Sequence, residues 1–292
     1  MVELGPGPGA LTQVLIERYG TENFSCIEID QRAVQVLNER HPTLDVIHSD
    51  VLQVDYPTLQ SSLSPNSPLA VIGNLPYYIT SQILFALADA SHSTAVRTAT
   101  VTMQLEVGQR LVASTSTKAY GILSVAFQIY ADTRLHFKIP NTVFYPKPKV
   151  ESCLVGMSFV GEDELRRRLD GVRPSDLRRV VQMSFQQRRK TLRSSLRRIL
   201  MEVHNGDKNK VNDIVTGGRK VEVPAGVKAR AEGGDKFAIQ QELPEEWGSM
   251  RPEELKPMQF IELTRLIYGE EEDKENYELG VKVWRKLKHG KG

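Results

Sequence analysis

The sequence predicts an α/β fold, a doubly wound parallel sheet followed by a smaller all-α C-terminal domain. Two observations carry this. Over residues 1–160, short apolar runs alternate with helix-period segments through short connections, the pattern of strand–helix–strand units. From about Gly161 the texture changes: β-branched residues thin out and Arg/Leu-rich helical patterns take over. The expected organisation is a sheet domain at 1–160, a helical domain at 161–268 and a charged tail at 269–292.

The elements follow in order. Val2–Leu4 reads as a strand, and Ala10–Arg18 as a helix with Leu11, Val14 and Leu15 on one face. Phe24–Ile29 is a second strand, Arg32–Arg40 a helix stopped by Pro42, and Leu44–Ile47 a third strand. Gln60–Pro68 is Ser/Pro-rich and reads as a loop. Leu69–Gly73 is a fourth strand, Ile79–Ala88 a helix, Arg97–Met103 a fifth strand, and Glu106–Ala113 and Ile122–Tyr130 are helices. Leu135–Ile139 and Glu151–Phe159 are late strands. Beyond Gly161, Leu177–Arg188 and Leu192–Leu200 read as helices, and Pro257 opens another in which Phe260, Leu263 and Ile267 share a face. His204–Phe237, rich in Gly, Lys, Asp and Asn, reads as a mobile insertion.

Composition excludes several classes. Apolar content of 40% and charged content of 25% are those of a soluble globular protein. No apolar run approaches the ~18 residues of a membrane span. Cys26 and Cys153 stand far apart, outside any CxxC context, and read as core thiols in a reducing compartment. The six histidines show no ligand spacing, so no metal site is expected. The net charge of +2 hides an asymmetry: Arg166–Arg198 holds twelve Lys/Arg against Asp170 and Asp176. Such a block suits a polyanion.

Three stretches bear chemistry. In Glu3-Leu4-Gly5-Pro6-Gly7-Pro8-Gly9, a strand runs through glycines into a helix. Gly5, Gly7 and Gly9 allow positive φ and let a ligand approach the backbone, and the helix start offers free N–H groups. Glu28 ends the second strand, nineteen residues after Gly9, where an acid can accept both hydroxyls of a ribose. Asp50, after the third strand, suits the exocyclic amine of an adenine ring or, equally, a cap. This set fits nicotinamide and S-adenosylmethionine enzymes alike. The decisive stretch is Asn74-Leu75-Pro76-Tyr77, at the end of an apolar strand. The exocyclic amine of a base has two N–H groups and a conjugated, poorly nucleophilic lone pair. The Asn74 side-chain oxygen and the Leu75 carbonyl can each accept one N–H and align the nitrogen. Pro76 fixes the turn, and Tyr77 offers a stacking face.

With these residues in place, the sequence resembles the ribosomal RNA adenine dimethyltransferases of the KsgA type, in the bacterial and organellar branch. The resemblance runs through ELGPGPGALT, IEID at Glu28, the Asp50 stretch, GNLPYYIT, KAYGILSV, FYPKPKVES, FQQRRKTLRSSL and RPEELKPMQFIELTRLIY, in the family's order. It implies a Rossmann-like methyltransferase sheet, with S-adenosyl-L-methionine contacts at Gly5, Gly7, Glu28, Asp50 and Asn74. It implies a target-base pocket at Asn74, Leu75, Pro76 and Tyr77, with Phe144 closing the other face of a flipped adenine. The implied reaction is dimethylation, at N6, of two adjacent adenosines near the 3′ end of small-subunit rRNA, late in assembly of the small subunit. Lys147, Lys149, Arg188, Arg189, Lys190 and Arg193 then read as phosphate contacts, which position rather than specify.

The alternatives are the large-subunit adenine methyltransferases of macrolide resistance, against which the C-terminal motifs argue, and a non-catalytic assembly or nucleic-acid-binding factor. The family carries a segment before the first strand that covers the cofactor, whereas Met1 here precedes Val2 of the strand itself. N-terminal truncation and weak cofactor binding by residues 1–292 are therefore expected. A monomer is expected, free of membranes, in an organelle if eukaryotic (mitochondrion or chloroplast) or the cytoplasm if bacterial.

Overall fold

A computed structural model describes residues 1–216, 245–271 and 279. Its elements run β1 (Val2–Leu4), α1 (Ala10–Tyr19), β2 (Ser25–Glu28), α2 (Gln31–Arg40), β3 (Asp45–His48), α3 (Tyr56–Leu63), β4 (Leu69–Asn74), α4 (Thr80–Ser91), β5 (Val96–Gln104), α5 (Leu105–Leu111) and α6 (Ile122–Tyr130). They continue with β6 (Ala131–Ile139), β7 (Ser152–Phe159), α7 (Glu162–Leu169), α8 (Pro174–Gln186), α9 (Leu192–Ser195), α10 (Arg197–Val203), α11 (Lys208–Thr216), α12 (Glu245–Ser249) and α13 (Pro257–Tyr268).

The chain forms two compact units. The described part of the first comprises Met1–Ala113 and Tyr130–Leu165; that of the second comprises Ser114–Ile129 and the described residues between 166 and 279. Ser114–Ile129, placed by the sequence in the sheet domain, thus groups with the helices. The first unit is built on one seven-stranded sheet of order β3-β2-β1-β4-β5-β7-β6. All three residues of β1 are buried although their side chains alternate between faces, so both faces of the sheet are covered there. One face is filled by Leu15, Phe24, Cys26 and Leu44, with Met1, Leu11, Ile16, Val46 and Ile72 packed against them. On that face lies a buried carboxyl, Glu3, which accepts from Thr12 Oγ1 at 2.7 Å and faces the Cys26 thiol at 3.7 Å. Burial holds Glu3 above its ordinary value of 4.5 and pushes the Cys26 thiol up as well.

The structure corrects four expectations. The sheet is not wholly parallel: β1, β2, β3, β4 and β5 are, but β7 runs antiparallel to both β5 and β6. The reason is the connection. Loop 140–151 between β6 and β7 carries one turn of 3-10 helix at Asn141–Val143 and no crossover helix, and a parallel return needs a crossover. The expected loop at 60–68 starts inside α3, because Asp55 accepts the Thr58 N–H at 3.2 Å and Pro57 fits the first turn. The expected helix at 192–200 is two short ones meeting at Leu196. The insertion at 204–237 opens with a helix, α11; residues 217–244, and the tail beyond 271 apart from 279, lie outside the described residues.

The second unit has its own core. Tyr120 is fully buried, donates its hydroxyl to the Leu255 carbonyl at 2.8 Å, and lies 6.1 Å from the Phe185 ring, which stacks on Phe260 at 5.8 Å. Burying such aromatic and aliphatic side chains contributes about 1.5–3 kcal/mol each. Leu177, Val180 and Val181 of α8 and Phe260, Leu263 and Ile267 of α13 are buried, at the helical spacing the sequence shows.

Two predictions follow from the first unit's centre. A Cβ at Gly73 would sit 2.5 Å from the backbone oxygen of Leu4. Gly73→Ala should therefore destabilise by about 1–3 kcal/mol, read as a lower midpoint in thermal denaturation. Glu3 is held above 4.5 in the folded chain, so the folded state binds a proton that the unfolded state has released. Its contribution to stability falls as pH rises above 4.5. Glu3→Gln removes that slope, so its stability relative to wild type should rise between acid and neutral pH in urea titrations.

Candidate functional site

In the first unit, parallel pairing brings the carboxyl ends of β1, β2, β3, β4 and β5 to one edge of the sheet, and the chain after each strand carries the candidate residues. After β1 the glycine loop turns with Gly5, Gly7 and Gly9 at φ of 65°, 55° and 89°, a backbone that L side chains rarely adopt. The Gly5 N–H donates to the Ile27 carbonyl at 2.9 Å, anchoring the loop to β2. Nothing lies within 4 Å of where a Cβ would stand on Gly5 or Gly7, so the loop borders open space.

Glu28 is buried and braces this loop. Its Oε2 accepts the Gly7 N–H at 2.9 Å, and its Oε1 accepts the N–H groups of Ile29 and Asp30, both at 2.8 Å. A carboxylate offers about four acceptor directions, so three are used and some capacity remains. Asp50 Oδ1 accepts the Leu52 N–H at 2.9 Å, a turn cap, while Oδ2 makes no hydrogen bond among the described residues. The Ser49 N–H donates to the Glu28 carbonyl at 3.0 Å, which keeps the two acids on neighbouring strand ends. Beside them Ile29 is 61% exposed at the end of a fully buried strand. The sequence reading passed over Ile29; its signal was the apolar residue between the two acids of IEID.

Asn74 closes β4 with an exposed side chain that makes no hydrogen bond among the described residues. Leu75 is anchored, its side chain buried and its N–H donating to the Thr102 carbonyl at 2.9 Å. The Pro76 carbonyl accepts from the Ile79 N–H and Thr80 Oγ1, which sets the turn into α4. The Tyr77 hydroxyl is 2.5 Å from Ser152 Oγ at the start of β7. Ser152 pairs with Gln104 of β5 and Ile139 of β6, so loop 140–151 leaves and re-enters the sheet beside Tyr77. That loop carries Phe144, half-buried in extended backbone, and the exposed Lys147 and Lys149. Ser152 is a second residue that sequence reasoning missed, because its role depends on a partner 75 positions away.

The arrangement thus joins glycine loop, Glu28, Asp50, Asn74 and Tyr77 along one edge. It offers a polar rim with spare acceptors, an exposed apolar side chain and two aromatic rings. These fit an adenosyl cofactor: open space at the glycines, unused acceptor capacity on Asp50 and Glu28, and an apolar surface at Ile29.

The basic block belongs to the second unit, and the structure divides it. Arg188 donates from Nη1 to the Lys118 carbonyl at 2.6 Å and from Nη2 to the Thr117 carbonyl at 2.8 Å, and its Nε stands 3.5 Å from Glu253. Its charge is therefore engaged by the chain itself, whereas the sequence places it among the phosphate contacts. Arg173 pairs with Glu271 at 2.5 Å, and Arg179 pairs with Glu202. Arg189, Lys190 and Arg193 are exposed and make no ion pair among the described residues.

Comparison with known proteins agrees with this geometry. The family model described as ribosomal RNA adenine dimethylase matches residues 1–224. Ribosomal RNA small subunit methyltransferase A of Salinibacter ruber is 44% identical over 196 residues, covering 67% of this chain and 63% of that protein. The protein of the same name from Prosthecochloris aestuarii is 39% identical over 198 residues, covering 68% and 70%. The chain therefore spans about two thirds of the length of the curated relatives it matches. Among solved structures, a dimethyladenosine transferase from Plasmodium falciparum aligns with a TM-score of 0.61 at 20% identity, covering 90% of this chain and 87% of that one. The 23S rRNA methyltransferase ErmE aligns at 0.51 and 22% identity, covering 91% and 89%. The two structures share the fold; the family model and the sequence relatives carry the assignment, and the chain belongs to the ribosomal RNA adenine dimethylase family.

Proposed function

We propose that the chain methylates the N6 amine of two adjacent adenosines near the 3′ end of small-subunit rRNA, using S-adenosyl-L-methionine, during maturation of the small subunit. The carrying observation is Asn74: a side chain with no hydrogen bond among the described residues, at the carboxyl end of β4, beside a tyrosine tethered to β7. The two curated relatives named above bear a small-subunit name, which favours that substrate over the large subunit. Among the described residues no helix is long and apolar enough to cross a membrane. We place the protein, as a monomer, where small subunits mature: the bacterial cytoplasm or an organellar interior.

The bound cofactor supplies an electrophilic methyl group on a sulfonium. Gly5 and Gly7 would give its backbone-facing side room, Glu28 and Asp50 would accept from its ribose and adenine, and Ile29 would offer the ring an apolar surface. Asn74 Oδ1 and the Leu75 carbonyl accept the two N–H groups of the target amine and hold its nitrogen in line. The Tyr77 and Phe144 rings cover the two faces of the flipped base, and the Tyr77–Ser152 hydrogen bond fixes the first ring. Fixed acceptors favour the tetrahedral nitrogen that develops, without reorganisation at the moment of reaction. No histidine or lysine is assigned as a base, because the methylated amine releases its proton readily. Arg189, Lys190, Arg193, Lys147 and Lys149 meet phosphates, which makes binding salt-dependent.

Two tests follow. Asn74→Ala should lower transfer of tritiated methyl groups to small subunits by about 100-fold or more while leaving the thermal midpoint near wild type. Wild-type protein that labels no RNA would overturn the enzymatic reading. Arg188→Ala should destabilise by about 1–3 kcal/mol, because its carbonyl and carboxylate partners lose a charged donor. Arg189→Ala with Lys190→Ala should spare the thermal midpoint and weaken RNA binding, with a shallower salt dependence in filter-binding titrations.

A further inference from the structure

Two large aromatic side chains stand in solvent directly beside the base pocket. Tyr78 is 81% exposed and follows Tyr77; Tyr145 is wholly exposed and follows Phe144. Each occupies the position after a ring assigned to the target base. At Phe144 the backbone is extended, with φ −100° and ψ 146°, so successive side chains point to opposite sides. Phe144 is accordingly half-buried while Tyr145 points away from it. The Tyr77–Ser152 hydrogen bond brings the turn bearing Tyr78 to the strand that closes the loop bearing Tyr145. Neither outer tyrosine makes a hydrogen bond among the described residues.

The surroundings indicate the partner. Lys138–Val150 contains three lysines and no acid, and Lys138, Lys147 and Lys149 are exposed. An exposed ring on a segment with exposed lysines suits a nucleobase on an anionic backbone. Extruding a base also leaves its two neighbours each with an uncovered face, which a nearby ring can cover.

We propose that Tyr78 and Tyr145 are positioning residues that stack on the nucleotides flanking the target adenosine. This rests on the reading of the chain as an RNA adenine methyltransferase. They would hold the gap open after the base leaves its stack, and so act on RNA binding rather than on the reacting amine.

The test uses the full chain and a stem-loop RNA carrying two adjacent adenosines. Tyr78→Ala and Tyr145→Ala should each raise KM for RNA roughly 5- to 20-fold, with a smaller effect on kcat, and Tyr→Phe at either position should restore it. Replacing the flanking nucleotide by an abasic one should raise the wild-type KM to the alanine level, with no further loss in the variants. In a second readout, 2-aminopurine is placed on either side of the target. It should stay dark on binding wild type and brighten on binding the alanine variants. Unchanged KM, an alanine effect that persists on abasic RNA, or equal fluorescence would each overturn the proposal. Wild-type protein that binds RNA but transfers no methyl group overturns the methyltransferase reading instead, and the fluorescence then still decides the stacking.

Discussion

The parallel pairing of β1 with β4 is the constraint on which the site depends. From that pair the sheet grows one way through β2 and β3 and the other way through β5, so the chains leaving β1 and β4 diverge. A crevice opens where they part. The glycine loop lines one side and Asn74 the other. Gly73 lies against the Leu4 backbone at this junction, leaving space too small for any side chain. This tight backbone packing thus sits one residue before the side chain assigned to the reacting amine.

Around that crevice the protein spends its own polar groups unevenly. Glu28 is committed largely to backbone N–H groups, which makes it as much a brace for the glycine loop as a contact for a ligand. Asn74 and one oxygen of Asp50 stay uncommitted among the described residues. The basic block shows the same division. Arg188 is turned inward onto two carbonyls and Glu253, whereas Arg189, the next residue, is exposed. One position along the chain separates a cation held by the chain itself from one left exposed.

Much of this was legible in the sequence, for a physical reason. Strands bounded by turns, the glycine loop and the Asn74–Tyr77 tetrapeptide are local, so spacing and side-chain chemistry reveal them. The direction of β7 was not read, because strand periodicity is the same in either sense; the helix-free loop 140–151 was the available signal. Helix α3 was hidden by Ser and Pro, although Asp55 and Pro57 mark its start. Ser152 and the inward turn of Arg188 were out of reach, because each depends on partners about seventy positions away in sequence. The family resemblance supplied the proposed substrate, which no spacing could have given.

The membership of Ser114–Ile129 in the second unit has a consequence for the order of folding. This segment leaves the ribosome early, yet its buried Tyr120 is closed by Leu255, 135 residues later, and its Ser116 N–H by Glu253. At about 5–20 residues per second, synthesis of that interval takes on the order of ten seconds. During that interval Tyr120 and its neighbours lack their final cover. The emerging chain therefore holds an apolar segment in waiting between strands β5 and β6, the stage at which chaperones would find most to bind.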